Sequence, residues 1–119
     1  MKISGTGKLL RIFLGEDDRV DGSPLHETIV LEARRRELAG ATVLKGVAGF
    51  GASSRMHTAR ILRLSEDLPL IIEIVDTEEK LRGFIPFVDG LFERAGCGGL
   101  LTMEPAEVIK YRKGVKKED

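Results

Sequence analysis

Residues 69–95 read PLIIEIVDTEEKLRGFIPFVDGLFERA, a short apolar run followed by a longer amphipathic one. The first part, residues 70–75, is rich in Ile and has the length of a buried strand. Asp76 is predicted to cap the helix that follows, because Glu79 stands three residues later in a capping-box pattern. Apolar side chains then recur at helical spacing as far as Ala95. The stretch predicts a strand followed by a helix that packs one face on the core.

A similar unit precedes it. Residues 8–14, KLLRIFL, predict a buried strand. Ser23 is predicted to be the N-cap of a first helix that runs to about Ala39 and stops at Gly40. Leucine, isoleucine and alanine recur at every fourth position of that helix, at Leu25, Ile29 and Ala33. Residues 41–48 predict the second strand.

The end of the chain predicts one more strand. Pro86 predicts a kink within the second helix, and Gly96 predicts its end. The last strand is expected in two pieces, residues 100–103 and 108–111, divided by Pro105. A charged, loose tail, residues 113–119, follows.

The element order β-α-β-β-α-β predicts an α+β, ferredoxin-like fold. In this fold a four-stranded antiparallel sheet carries two helices on one face. Residues 1–119 are expected to form a single domain. The strands are apolar on both sides, so we expect the uncovered face to be buried in an oligomer.

Composition narrows the function. The chain has 19 basic and 19 acidic residues, and this zero net charge argues against nucleic-acid binding. It has one cysteine, Cys97, and no apolar run long enough for a membrane helix, so we expect a cytoplasmic protein. Asn and Gln are absent while Lys, Arg and Glu abound, a composition typical of thermophiles.

Two glycine-rich segments are the candidate binding loops. The first is Gly49, Phe50 and Gly51, with Arg55, at the start of a long connection over residues 49–68. Such long connections are usually functional or disordered. Glycine lets the backbone approach a ligand closely, and successive N–H groups can form an anion-binding nest.

The second segment follows the second helix and consists of Gly96, Cys97, Gly98 and Gly99. It has more glycine than a helix cap requires, which suits close approach to a phosphate. Cys97 is interpreted as a small packed residue rather than a nucleophile, since neither histidine is near it in sequence. The spacing of His26, His57 and the acidic residues 16–21 matches no metal motif, so no metal is predicted.

Residues 40–51, GATVLKGVAGFG, and residues 68–76, LPLIIEIVD, resemble an uncharacterised family of PII-like proteins. The resemblance extends over roughly residues 5–112. It implies a homotrimeric, non-enzymatic signalling protein of ferredoxin-like fold. Such proteins bind an adenine nucleotide (ATP, ADP or AMP) in clefts between subunits. Their long loop between strands two and three acts on a protein target, often a membrane transporter. Members of this branch are often encoded beside a fluoride channel.

The resemblance also implies roles for particular residues. The target-binding loop would be residues 49–68, with the first glycine segment and Arg55 at its base. Residues 96–99 would contact phosphate, and the last strand would supply Lys110 and Arg112 to the neighbouring subunit's site. The chain departs from classical PII proteins in two respects. Its phosphate loop has no Lys or Asp, and its single tyrosine, Tyr111, is not on the long loop, so uridylylation is not expected.

Three other readings of the fold differ in their requirements. An acylphosphatase-like enzyme needs an Asn that the chain lacks, although residues 46–50 loosely echo that family's phosphate loop. An RNA-binding module needs stacking aromatics, and residues 70–75 contain none. An amino-acid- or other small-molecule-binding regulatory domain would also bury its sheet in oligomers. The long connection before the third strand speaks against it.

Overall fold

A computed structural model describes residues 5–52 and 67–115. Its main elements run β1, α1, β2, β3, α2 and β4 along the chain. Their bounds are Gly5–Gly15, Leu25–Arg35, Thr42–Lys45, Pro69–Asp76, Glu78–Ala95 and Leu100–Val108, respectively. The sheet order is β2-β3-β1-β4, with every neighbouring pair antiparallel. The predicted α+β, ferredoxin-like fold is confirmed.

The two central strands carry the core. In β1 and β3 alternate side chains point toward the helices, and the other set points to the uncovered face. The helix-facing set includes Leu10, Ile12 and Ile72, none of which is exposed. Each such side chain stabilises the fold by about 1.5–3 kcal/mol relative to an exposed one. The helices cover this set with Leu25, Ile29, Ala33, Leu81, Phe84, Val88 and Leu91.

Helix α2 begins one residue later than the sequence predicts. Asp76 is the last residue of β3, and Thr77 is the N-cap, whose hydroxyl accepts a hydrogen bond from Lys80 N–H at 3.3 Å. The prediction of Asp76 as the cap was wrong because its carboxylate is buried and serves another contact. Gly96 ends the helix in the left-handed conformation, φ 71°, as predicted. The helix is continuous through Pro86.

Helix α1 is shorter than predicted. Pro24 rather than Ser23 is its N-cap, because Ser23 and Pro24 pair with Val20 and Arg19 in a two-residue ladder and the helix begins only after it. The helix ends at Arg35 instead of Ala39, since Glu37 adopts a left-handed φ of 59°. Arg36 then lies over the Phe84 ring at 5.5 Å, which fixes this turn to α2.

The edge strands also differ from the prediction. Strand β4 is one continuous strand through Pro105, not two pieces. Within the described residues it is an edge strand that pairs with β1 alone, and a proline is tolerated at an edge. Strand β2 spans only Thr42–Lys45 instead of residues 41–48. The connection to β3 therefore begins at residue 46.

The uncovered face combines apolar and charged rows. Leu44, Ile71, Phe13 and Leu100 lie opposite one another across all four strands. In the adjacent row, Arg11 Nε donates to Glu73 Oε2 at 2.9 Å, and its Nη1 reaches diagonally to the following row, where it donates to Glu104 Oε1 at 2.7 Å. The predicted apolar character of this face holds for the first row, with Leu44 and Leu100 about half exposed. Arg11, Glu73 and Glu104 therefore add a group of ion pairs to this face.

One acid-dependent contribution to stability arises at the end of α1. Glu32 accepts hydrogen bonds from Arg35 and Arg36, which lower the pKa of Glu32 from 4.5 to about 2. Because the folded pKa lies below the unfolded value, this contribution is present above the unfolded pKa and is lost as the pH falls toward 2. We expect Glu32→Gln to lower the thermal midpoint at neutral pH. The difference from the parent should shrink between about pH 5 and pH 3. Circular-dichroism melts at fixed ionic strength measure it, and a pH-independent difference would contradict the assignment.

Candidate functional site

One end of the sheet gathers four loop segments. Strand β1 ends there at Gly15, β2 ends at Lys45, β3 begins at Pro69 and β4 begins at Leu100. The segments that meet at this end are residues 15–18, 46–52, 67–69 and 96–99. Both predicted glycine segments therefore lie at the same end. We refer to it as the glycine end of the sheet.

Residues 46–52 cross this end from β2 toward β4. Gly46 N–H donates to Pro69 O at 2.8 Å, and a Cβ at Gly46 would stand 2.9 Å from Pro69 Cγ. Gly49 has a φ of 131°, which L side chains rarely adopt. A Cβ at Gly98 would lie 3.0 Å from Ala52 Cβ and 3.1 Å from the Ala52 carbonyl carbon. The end of the first segment therefore packs against the second.

The glycines of residues 96–99 have separate roles. Gly96 caps α2, and Gly98 allows the approach of Ala52. A Cβ at Gly99 would lie 2.5 Å from Phe92 Cε1 and 3.1 Å from Phe13 O, so this position is closed to side chains. Gly98 therefore permits a contact between loops, whereas Gly99 permits packing of the fold itself.

Cys97 is only partly exposed, as expected of a packed residue. Burial raises the pKa of its thiol, and the nearby negative charge of Asp18 adds to the effect. A raised pKa reduces the thiolate fraction, and the thiolate is the nucleophile. This environment does not activate Cys97.

The acidic turn at residues 16–18 contacts both ends of the connection between β2 and β3. Glu16 N–H donates to Leu68 O at 2.9 Å, and Asp17 N–H donates to Asp67 Oδ1 at 2.9 Å. At the β2 end of the connection, Lys45 Nζ lies 2.7 Å from Glu16 Oε2 and lowers the pKa of that carboxyl. The sequence alone assigns these acidic residues no contact with the connection. The two backbone contacts join residues about 50 positions apart, and no local sequence pattern predicts them.

The carboxylates make the glycine end electronegative. Burial raises the pKa of Asp18, and the neighbouring charges of Asp67 and Asp17 raise it further. Lys45 is the cation paired with this turn among residues 5–52 and 67–115. An anionic ligand at the glycine segments would therefore need positive charge from another source. Arg55 falls outside the described residues, so its position is not part of this geometry.

Lys110 and Arg112 lie at the opposite end of the sheet. They follow β4, which begins opposite Phe13 and ends opposite Gly5. The nine residues of this strand separate the two ends by roughly 25–30 Å. That span exceeds the reach of either basic side chain. Within one subunit, the nine predicted site residues that the structure describes therefore do not form one site.

A groove of about 330 Å³ marks this opposite end. Tyr111 hydroxyl donates to Ala39 O at 3.3 Å, so the chain after β4 reaches the turn that precedes β2. The lining combines residues of the strands, of that turn and of the segment after β4. These residues are Leu9, Ala39, Gly40, Ala41, Thr42, Glu73, Val75, Val108, Lys110 and Tyr111. Of these residues, only Lys110 was predicted to belong to a site. The groove was missed because its walls come from four distant parts of the sequence.

Two further kinds of feature are absent from the part of the chain that the structure describes. No group of three or more His, Cys, Asp and Glu side chains there could hold a metal ion. None of the helices in these residues combines the length and hydropathy that a membrane span requires.

The family model for DUF190, described as "Uncharacterized ACR", matches residues 7–108. The chain belongs to the DUF190 family. A UPF0166 protein from Aquifex aeolicus (strain VF5) is 37% identical over 102 residues, which is 86% of this chain and 92% of the relative. Another UPF0166 protein, from Methanocaldococcus jannaschii, is 36% identical over 103 residues, 87% of this chain and 92% of the relative. The match covers both glycine segments and all four strands.

Solved structures place this DUF190 chain among PII-like folds. The structure of CPII bound to ADP, AMP and acetate, from Thiomonas intermedia K12, has a TM-score of 0.64 at 17% identity, covering 89% of this chain and 91% of CPII. A protein from Thermus thermophilus described as PII-like has a TM-score of 0.61 at 15% identity, covering 88% of this chain and 91% of that protein. The PII-like family that the sequence resembles is confirmed. At these identities the likeness concerns the fold.

Proposed function

We propose that this DUF190 protein is a non-enzymatic, PII-like regulator that binds an adenine nucleotide between the subunits of a homotrimer. The observation that carries the proposal is the close packing of the two glycine segments, since a Cβ at Gly98 would lie 3.0 Å from Ala52 Cβ. This contact links the loop that would hold phosphate to the base of the connection between β2 and β3. The nucleotide-bound state of CPII, a protein of the same fold, favours an adenine nucleotide as the ligand class.

The proposed site consists of two parts from different subunits. One subunit supplies Gly49, Phe50, Gly51, Arg55 and residues 96–99. The next supplies Lys110 and Arg112, because these cations lie too far from the glycine segments of their own chain. The electronegative glycine end and the basic opposite end are complementary, which favours head-to-tail contacts that close into a ring. A site completed this way carries positive charge where the phosphates bind.

Binding would act through the ends of the connection between β2 and β3. A ligand that stabilises one arrangement of residues 46–52 would fix the base of loop 49–68, through which we propose that the protein acts on its partner. The partner would be a protein, and an ion transporter or channel is our proposal for its class. We propose no catalysis, and the raised pKa of Cys97 supports this view. A single domain over residues 1–119, cytoplasmic location and a thermophilic source remain predictions.

Calorimetric titration with ATP, ADP, AMP and cyclic AMP, with light scattering on the same sample, tests the proposal. We expect a trimer that binds about one nucleotide per subunit. Phosphate release assayed on the same sample should stay at the background of buffer and nucleotide alone. A folded trimer that binds none of the four nucleotides would overturn the nucleotide proposal. Catalytic turnover would overturn the non-enzymatic one.

A further inference from the structure

Asp76 is a buried charged residue that the sequence predicts only as a helix cap and to which the family likeness assigns no part in the site. It is fully buried at the end of β3, and it is the one buried polar or charged side chain among the residues the structure describes. A buried carboxylate is costly unless its oxygens accept hydrogen bonds. One of those hydrogen bonds comes from Ala39, which lines the groove.

Both carboxylate oxygens of Asp76 accept backbone hydrogen bonds. Oδ1 accepts from Thr77 N–H at 2.6 Å, and Oδ2 accepts from Ala39 N–H at 2.9 Å. The second bond spans 37 positions in sequence and fixes the turn that joins α1 to β2. That turn, residues 39–42, forms one wall of the groove.

The peptide group on the other side of Ala39 is also held. Its carbonyl oxygen accepts the hydrogen bond from Tyr111 hydroxyl, at the longer distance of 3.3 Å. Two residues earlier, Glu37 O accepts from Lys80 Nζ at 3.0 Å. Ala39 therefore links the buried carboxylate of Asp76, the turn and the segment that follows β4.

We propose that Asp76 and Tyr111 are positioning residues for the basic half of the ligand site. Asp76 fixes Ala39 to the core, and Tyr111 ties the segment after β4 to the fixed Ala39. Tyr111 lies directly between Lys110 and Arg112, so its placement sets where these two cations stand. The ligand part of this proposal, a phosphate group bound by Lys110 and Arg112, rests on the proposed function. The positioning part does not.

The chain offers a specific reporter, because Tyr111 is its only tyrosine and it has no tryptophan. Acrylamide quenching of Tyr111 fluorescence in the ligand-free protein therefore reports on this segment alone. Asp76→Asn removes one acceptor oxygen and places an N–H₂ group against a backbone N–H, with little change of volume. Val88→Ala, at a fully buried position of α2 outside the groove, is the control for general destabilisation.

Well below the midpoint of each melt, we expect Asp76→Asn to raise the quenching of Tyr111, while Val88→Ala leaves it at the parent value. Nucleotide affinity should fall about tenfold or more in Asp76→Asn and stay at the parent value in Val88→Ala. If Asp76→Asn lowers only the thermal midpoint, as Val88→Ala does, Asp76 is merely structural and the proposal fails. If the parent binds no nucleotide, the proposed function fails, and the quenching result still decides the positioning part.

Where Asp76→Asn does not fold, Tyr111→Phe and the parent carry the test by NMR hydrogen exchange. In the parent, the Ala39 amide should exchange slowly because it donates to a buried carboxylate. Tyr111→Phe removes only the hydroxyl, so we expect faster exchange at Ala39 and no change at Ile72 in the core. Equal exchange at Ala39 in both proteins would overturn the link between Tyr111 and the turn.

Discussion

Gly98→Val should lower nucleotide affinity by about 100-fold and leave the fold intact. A Cβ at this position would lie 3.0 Å from Ala52 Cβ and 3.1 Å from the Ala52 backbone, and valine adds two methyl groups beyond it. The segments can accommodate valine only by moving apart. Because Gly98 lies between α2 and β4, outside the buried core, the separation costs the fold little.

Calorimetric titration of Gly98→Val measures this effect, with a thermal melt on the same sample. Gly90→Ala is the matched control, because a Cβ at Gly90 meets nothing within 4 Å. It lies inside α2, where alanine should raise stability by roughly 0.5–1 kcal/mol, and its affinity should equal that of the parent. Parent-like affinity in Gly98→Val would mean that contact between the glycine segments is not needed for binding.

Gly99→Ala, one residue later, should instead destabilise the fold by about 1–3 kcal/mol. The added Cβ would lie 2.5 Å from Phe92 Cε1 and 2.6 Å from Phe92 Cζ, and Phe92 is only 7% exposed. Phe13 O, on the central strand, closes the other side at 3.1 Å. The ring must tilt or β4 must shift, and either movement loosens packing between α2 and the sheet.

Thermal unfolding at a fixed protein concentration measures the loss, since association also affects the midpoint. Each kcal/mol corresponds to a few degrees for a chain of this size. Gly90→Ala is again the control. A groove of about 380 Å³ borders Phe92, and a ring that swings into it without cost would leave Gly99→Ala as stable as the parent. That outcome would contradict the packing role assigned to Gly99.

This pair of glycines shows how far the sequence predicts the site. Composition and spacing predict that residues 96–99 form a glycine loop after a helix, and the left-handed Gly96 confirms the end of that helix. They cannot tell Gly98 from Gly99. The distinction depends on Ala52, Phe92 and Phe13, which only the fold brings close.

The errors in the predicted helix ends also arise from contacts that only the fold creates. Periodicity predicts the core side chains of β1, β3 and α2, because burial follows directly from alternation and helical spacing. Asp76 has the sequence context of a helix cap, but the fold uses its carboxylate to hold Ala39. Helix α1 ends early at the left-handed Glu37, where Arg36 packs over two rings of α2, and nothing in the local pattern of α1 encodes that contact.

The separation of the proposed site residues to two ends of the sheet is likewise a property of the folded chain. In the sequence, Lys110 and Arg112 follow closely after residues 96–99, and nothing in the sequence shows that the fold separates them. Strand β4 carries them to the far end, and at the glycine end Lys45 is already paired with Glu16 of the acidic turn. The central claim is therefore that a complete site needs two subunits.

Subunit complementation tests that claim most directly. Gly98→Val subunits keep the basic end, and Lys110→Ala/Arg112→Ala subunits keep the glycine end, so neither should bind nucleotide tightly as a homotrimer. Co-refolding equal amounts should restore parent-like affinity at on the order of one site per four chains, since each mixed ring contains one intact junction. Calorimetric titration of the mixture measures this number. Mixed trimers with no restored site would contradict a site shared between subunits.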